Sequence, residues 1–79
     1  MKEEVLDNIR ENVDMQRVYY AVKVMDEQRL PIAYVDEDLY DEVHDLLEEY
    51  AQDNDLPEGW WMNECEIEEI IFKLWMVCL

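Results

Sequence analysis

The sequence predicts an all-α fold, a small bundle of three to four helices formed by one domain over residues 1–79. Three observations predict it. Apolar residues recur at helical spacing in three separate stretches. One Gly and two Pro leave little room for long loops. Hydrophobic residues make up 51% of the chain, including 3 Trp, 5 Tyr and 1 Phe, so there is a core to build. The competing architecture is α+β, with a short hairpin pairing residues 17–25 against 70–78. Val18, Tyr20, Val22 and Val24 alternate and are β-branched or aromatic.

Residues Lys2 to Gln28 read as helix with one break. Val5, Leu6, Ile9 and Val13 form a first stripe. Met15, Val18, Val22 and Met25 form a second, out of phase with it. The break falls at Asn12–Asp14, where Asp14 can cap a second helix. The polar flanks Asp14–Arg17 and Asp26–Arg29 make poor strand ends and favour helix. Because Val18–Val22, Val24 and Met25 are apolar nearly all round, this second helix is expected to be central and buried on several sides.

Leu30–Val35 reads as a connector, since Pro31 pushes Leu30 out of the helical region. Asp36 then caps a helix over residues 36–52, with Glu37 and Asp38 in its first turn, where the helix dipole favours negative charge. Leu39, Tyr40, Val43, Leu46, Leu47, Tyr50 and Ala51 give the cleanest amphipathic stripe in the chain. Asp53–Gly59 ends that helix and turns. Asn63 can cap a last helix, with a stripe of Ile67, Ile70, Ile71, Leu74, Trp75 and Cys78. Phe72, Met76, Val77 and Leu79 lie off that stripe, which points either to burial at the bundle centre or to a homodimer contact through the C-terminal helix.

Charge bounds the function. There are 22 Asp plus Glu against 6 Lys plus Arg, a net charge of −16. A disordered acidic tail has few aromatics, so the chain is not one. Direct nucleic-acid binding needs a basic footprint, which is missing. Residues 1–29 hold seven acids and five bases, whereas residues 30–72 hold fifteen acids and no base. The acidity is therefore a continuous block.

Within the block, Asp38, Asp41, Glu42, Asp45, Glu48 and Glu49 sit opposite the apolar stripe of one helix. Like charges at i, i+4 destabilise a helix by a few tenths of a kcal/mol each, so six acids without a base invite a functional explanation. The plainer reading is a solvated face kept soluble by charge. Trp60 and Trp61 serve either as an exposed anchor, of the kind enriched in binding hot spots, or as a cap on the core.

Catalytic chemistry finds little support. No Ser or Thr occurs, which excludes those nucleophiles. Cys65 and His44 sit in no catalytic signature. Asp53, Asp55 and Glu64 occupy calcium-loop positions 1, 3 and 12, but position 5 is Pro57 and the glycine, Gly59, is displaced to position 7. A single His, at His44, falls short of a di-iron motif. The expectation is a non-enzymatic protein with no cofactor and no metal. Two cysteines suggest reduced thiols, and the charged N-terminus does not read as a signal peptide, so a cytoplasmic protein is expected. The longest apolar stretch is too short for a bilayer, and an anionic chain is repelled by anionic membranes.

Small size, the acidic row from Asp36 to Asp55, the further acids Glu58, Glu64, Glu66, Glu68 and Glu69, and an aromatic core together resemble a class. It is the small acidic anti-defence proteins of phages and mobile elements, the DNA-mimicking anti-restriction and anti-CRISPR proteins. The resemblance covers about half the chain and rests on no single motif. It implies an inhibitor in the host cytoplasm, docking an acidic face on a basic nucleic-acid-binding protein. The expected partner-binding residues are Asp36, Asp38, Asp41, Glu42, Asp45, Glu48, Glu49, Asp53 and Trp60. The alternative is a small acidic helical oligomerisation or adaptor protein.

Overall fold

Two aspartates start two of the helices. The Asp14 side chain accepts from the Gln16 N–H, and the Asp36 side chain accepts from the Leu39 N–H. Each satisfies a backbone donor that the first helical turn leaves without a partner. In the computed structural model, which describes residues 2–76, the helices are α1 (Glu3–Asn12), α2 (Met15–Gln28), α3 (Ile32–Val35), α4 (Glu37–Asp53) and α5 (Ile67–Met76), with a 3-10 turn at Trp60–Asn63. The break between α1 and α2 lies at Val13–Asp14, where the sequence places it.

The fold is all-α, and no strand occurs among the described residues. Residues 17–25 lie inside α2 and residues 70–76 inside α5, so the hairpin alternative does not hold there. Val77, Cys78 and Leu79 lie outside the described residues. Two local readings also change. The Leu30–Val35 connector contains the single helical turn of α3, because Pro31 is well suited to precede a helix: its fixed φ costs nothing there, and its carbonyl accepts from Tyr34 and Val35. Asn63 ends the 3-10 turn, and α5 begins four residues later, at Ile67, with acidic Glu68 and Glu69 in its first turn.

The core is one continuous cluster. It joins Val5, Leu6 and Ile9 of α1, Val18, Ala21, Val22 and Met25 of α2, and Ile32 of α3. Leu39, Val43 and Leu47 of α4, then Trp61, Cys65 and the α5 residues Ile67, Ile70, Ile71 and Leu74, complete it. Burying each large aliphatic side chain stabilises the fold by ~1.5–3 kcal/mol. The radius of gyration, 12.1 Å, is that of a single packed unit of this length.

The central helix is α5. It packs against α1, α2 and α4. The expectation that residues 15–28 form the helix buried on several sides is thus corrected. Only one face of α2 is buried, and Tyr20 is 66% exposed with Tyr19 and Lys23 beside it. Tyrosine counts as apolar in a helical wheel, but its hydroxyl end tolerates water.

Arg10 ties α1 to the end of α5. Its guanidinium donates to the carbonyls of Lys73 (3.2 Å) and Leu74 (3.1 Å), and it pairs with Glu3 and Asp7 on its own helix. A cation at a helix C-terminus is favourable for the helix dipole. The turn after α4 passes through Asp55 and Gly59 with positive φ. At Gly59 (φ 72°) an added Cβ would lie 3.2 Å from the Met62 sulfur.

Candidate partner-binding surface

Helix α4 presents the acidic row, but its carboxylates are not equivalent. The buried stripe Leu39, Val43, Leu47 and Ala51 fixes the rotation of the helix. Asp38, Asp41, Asp45 and Glu49 then fall on the opposite, solvent side, all exposed. Their spacing of i, i+3, i+7, i+11 covers ~16 Å of helix axis. None of them forms an ion pair with Lys or Arg among the described residues; Asp45 has the His44 Nδ1 at 3.6 Å.

Three other acids of the row are used internally. Asp36 receives Arg17 through both oxygens, with Nε to Oδ2 at 2.6 Å and Nη2 to Oδ1 at 2.7 Å. Glu42 takes the third Arg17 contact, Nη1 to Oε2 at 2.8 Å. The Arg17 hydrogen bonds hold the Asp36 carboxyl below its usual range, and Asp36 in turn holds the guanidinium proton more tightly, with help from Glu42 and Asp38. Glu48 is half-buried. Its Oε1 accepts from the Trp61 indole N–H (3.1 Å) and from the Gly59 N–H (3.1 Å). Asp53 is the exposed last residue of α4.

The tryptophans are held against the body of the protein. Trp61 is buried, with its ring edge-on to His44. Trp60 is half-buried, donates its indole N–H to the Leu47 carbonyl (3.2 Å) and lies 5.5 Å from the Tyr50 ring. Of the two readings for this pair, the core cap describes the geometry. Trp60 is thus held against α4 and is not a free side chain.

One part of the surface was not visible in the row alone. Between α1 and α4 runs a groove of about 760 Å³, lined by Glu4, Asp7, Asn8, Glu11 and Asn12 on one side and by Leu46, Glu49, Tyr50 and Asp53 on the other. Glu4, Asp7 and Glu11 are spaced i, i+3, i+7, the signal that would have found this face of α1. Asp7 is already paired with Arg10, at 2.7 Å. The near-balanced charge of residues 1–29 concealed the acidic strip that α1 adds.

The arrangement offers negative charge over an apolar body. Among the described residues, no buried side-chain nitrogen or oxygen lacks a hydrogen-bond partner, and no group of three or more His, Cys, Asp or Glu is placed to hold a metal ion. His44 faces Trp61 and Asp45, whereas Cys65 is contacted by Lys73, so the two do not form a pair. No described helix is long and apolar enough to cross a membrane. Comparison of the chain with protein-family models, with curated proteins and with solved structures finds no match.

Proposed function

We propose that the protein is a non-enzymatic inhibitor that docks its acidic α4 face on the basic cleft of a nucleic-acid-binding protein and excludes the nucleic acid. The observation carrying this reading is the ridge Asp38, Asp41, Asp45 and Glu49, exposed and without a Lys or Arg partner among the described residues. At ~3.4 Å of axis per phosphate on one DNA strand, its ~16 Å span corresponds to about five phosphates. Glu49 also belongs to the α1–α4 groove, where Glu4, Glu11 and Asp53 extend the negative surface. A partner's Arg and Lys side chains would pair with these carboxylates, and the field of the whole chain would raise the association rate. Inhibitors of this kind serve phages and mobile elements against restriction or CRISPR nucleases in the host cytoplasm.

The ridge supplies the test. The triple variant Asp41→Lys, Asp45→Lys, Glu49→Lys changes only side chains that face solvent and leaves Glu48 with Trp61. Plasmid cleavage by a panel of restriction and CRISPR nucleases is measured with each protein added. Inhibition of the sensitive nuclease should weaken by at least about tenfold in the triple variant, with the helical circular dichroism unchanged. Equal potency of the folded variant would overturn the reading.

A second reading has its own observation. Tyr20 and Met76 are exposed, and the Tyr19 and Trp75 rings meet at a tilt with centroids 4.5 Å apart, giving an aromatic surface where α2 meets the end of α5. An oligomerisation module would use that surface, and light scattering after size exclusion would return the mass of a dimer.

A further inference from the structure

Cys65 is not an isolated core thiol. It is 5% exposed, yet the Lys73 ammonium reaches it, with Nζ to Sγ at 3.0 Å. It also lines a cavity of about 360 Å³, bordered by Tyr40, Trp61, Met62 and Glu66. That volume is ample for a molecule the size of hydrogen peroxide. A thiol in contact with an amine, beside an opening, has the parts of a modification site. We infer that Cys65 and Lys73 are an oxidation site, at which peroxide converts the thiol to a sulfenic acid and Lys73 captures it as a sulfenamide.

The chemistry balances. The nucleophile toward peroxide is the thiolate. The sulfur attacks one peroxide oxygen, the O–O bond breaks, and hydroxide leaves and takes a proton from the Lys73 ammonium to give water. The free amine then attacks sulfur, an S–N bond forms, the S–O bond breaks, and a second water leaves with a proton from nitrogen. Thiolate, ammonium and one hydrogen peroxide become a sulfenamide and two waters. Sulfur is oxidised and peroxide reduced. Condensation of a sulfenic acid with a nearby nitrogen is a known branch of cysteine oxidation. The hydrogen bond to Cys65 is the main cause holding the Lys73 proton more tightly than in an ordinary lysine.

Trypsin reads the product directly. Between Arg29 and Lys73 the chain has no Lys or Arg, and a linked Lys73 is no longer a cleavage site. Treatment of the full chain with hydrogen peroxide, followed by tryptic mass spectrometry, should yield a peptide that starts at Leu30 and runs on through Lys73 without cleavage. It should be lighter by two hydrogens than the unmodified sequence and should disappear on treatment with dithiothreitol. Lys73→Arg keeps a cation but not the amine, and the uncleaved, lightened peptide should fall at least tenfold. Lys73→Gln should slow the oxidation of Cys65 itself. The wild-type digest stands without either variant. Oxidation of Cys65 to sulfinic acid with normal cleavage after Lys73 would overturn the inference. A Cys65–Cys78 disulfide would also overturn it, since that product joins two separately cleaved peptides.

Discussion

Asp36 performs two tasks with two oxygens. Oδ1 accepts from the Leu39 N–H, which starts α4, and both oxygens accept from Arg17, which holds α2 against that start. Asn in its place keeps an N-cap acceptor and loses the charge, so Asp36→Asn isolates the ion pair. The Arg17 hydrogen bonds lower the Asp36 pKa in the folded state. Its contribution is therefore complete above the ordinary Asp value near ~4 and is lost as the pH falls through the lower folded value. Asp36→Asn should lower stability by ~1–2 kcal/mol at pH 7, as expected for a charge-assisted pair at a partly exposed site. The gap from wild type, measured by urea unfolding at a series of pH values, should close below pH ~4. A gap constant from pH 7 to pH 2 would show that the charge is not its source.

At the scale of elements, Glu48 pins the 3-10 turn to α4. Its carboxylate is the shared acceptor for an indole N–H and a backbone N–H. Glu48→Ala leaves both donors without it, and unfolding should show a loss of ~1–3 kcal/mol. A change within a few tenths would mean that the turn is held by Trp61 burial alone. The contrast between Glu48 and Glu49 marks what was legible in the sequence. Helix breaks and caps at Asp14 and Asp36 were legible because capping is a matter of a few neighbouring residues. The buried stripes of α4 and α5 were legible because helical periodicity carries them. Which acids stay free was not legible. Arg17 lies 19 and 25 positions from Asp36 and Glu42, and Trp61 lies 13 from Glu48, so only packing brings them together. The same holds for the acidic groove, which needs α1 and α4 side by side. The nine expected residues thus resolve into a free ridge of Asp38, Asp41, Asp45 and Glu49, the exposed Asp53, three acids held in internal contacts and a half-buried tryptophan.

For the molecule as a whole, −16 charges in 79 residues oppose compaction. The Debye length shortens from ~30 Å at 0.01 M salt to ~8 Å at 0.15 M, so much of this repulsion is screened over that range. The melting temperature should rise by several degrees, since ~1 kcal/mol moves it by ~4–8 °C in a domain of this size. A flat profile in differential scanning calorimetry would mean that local ion pairs such as Arg17–Asp36 offset the net repulsion. Trp60 and Trp61 sit in the turn that precedes α5, and Trp75 sits against Tyr19 near the helix's far end, ~12 Å of axial rise from the start of α5 at Ile67. The central helix is therefore flanked by natural fluorophores, one pair tied to α4 before its start and one ring tilted against Tyr19 of α2 near its end. In variants that keep only Trp75, or only the Trp60–Trp61 pair, emission reports on one half of the bundle at a time, and coincident transitions would mark a single cooperative unit.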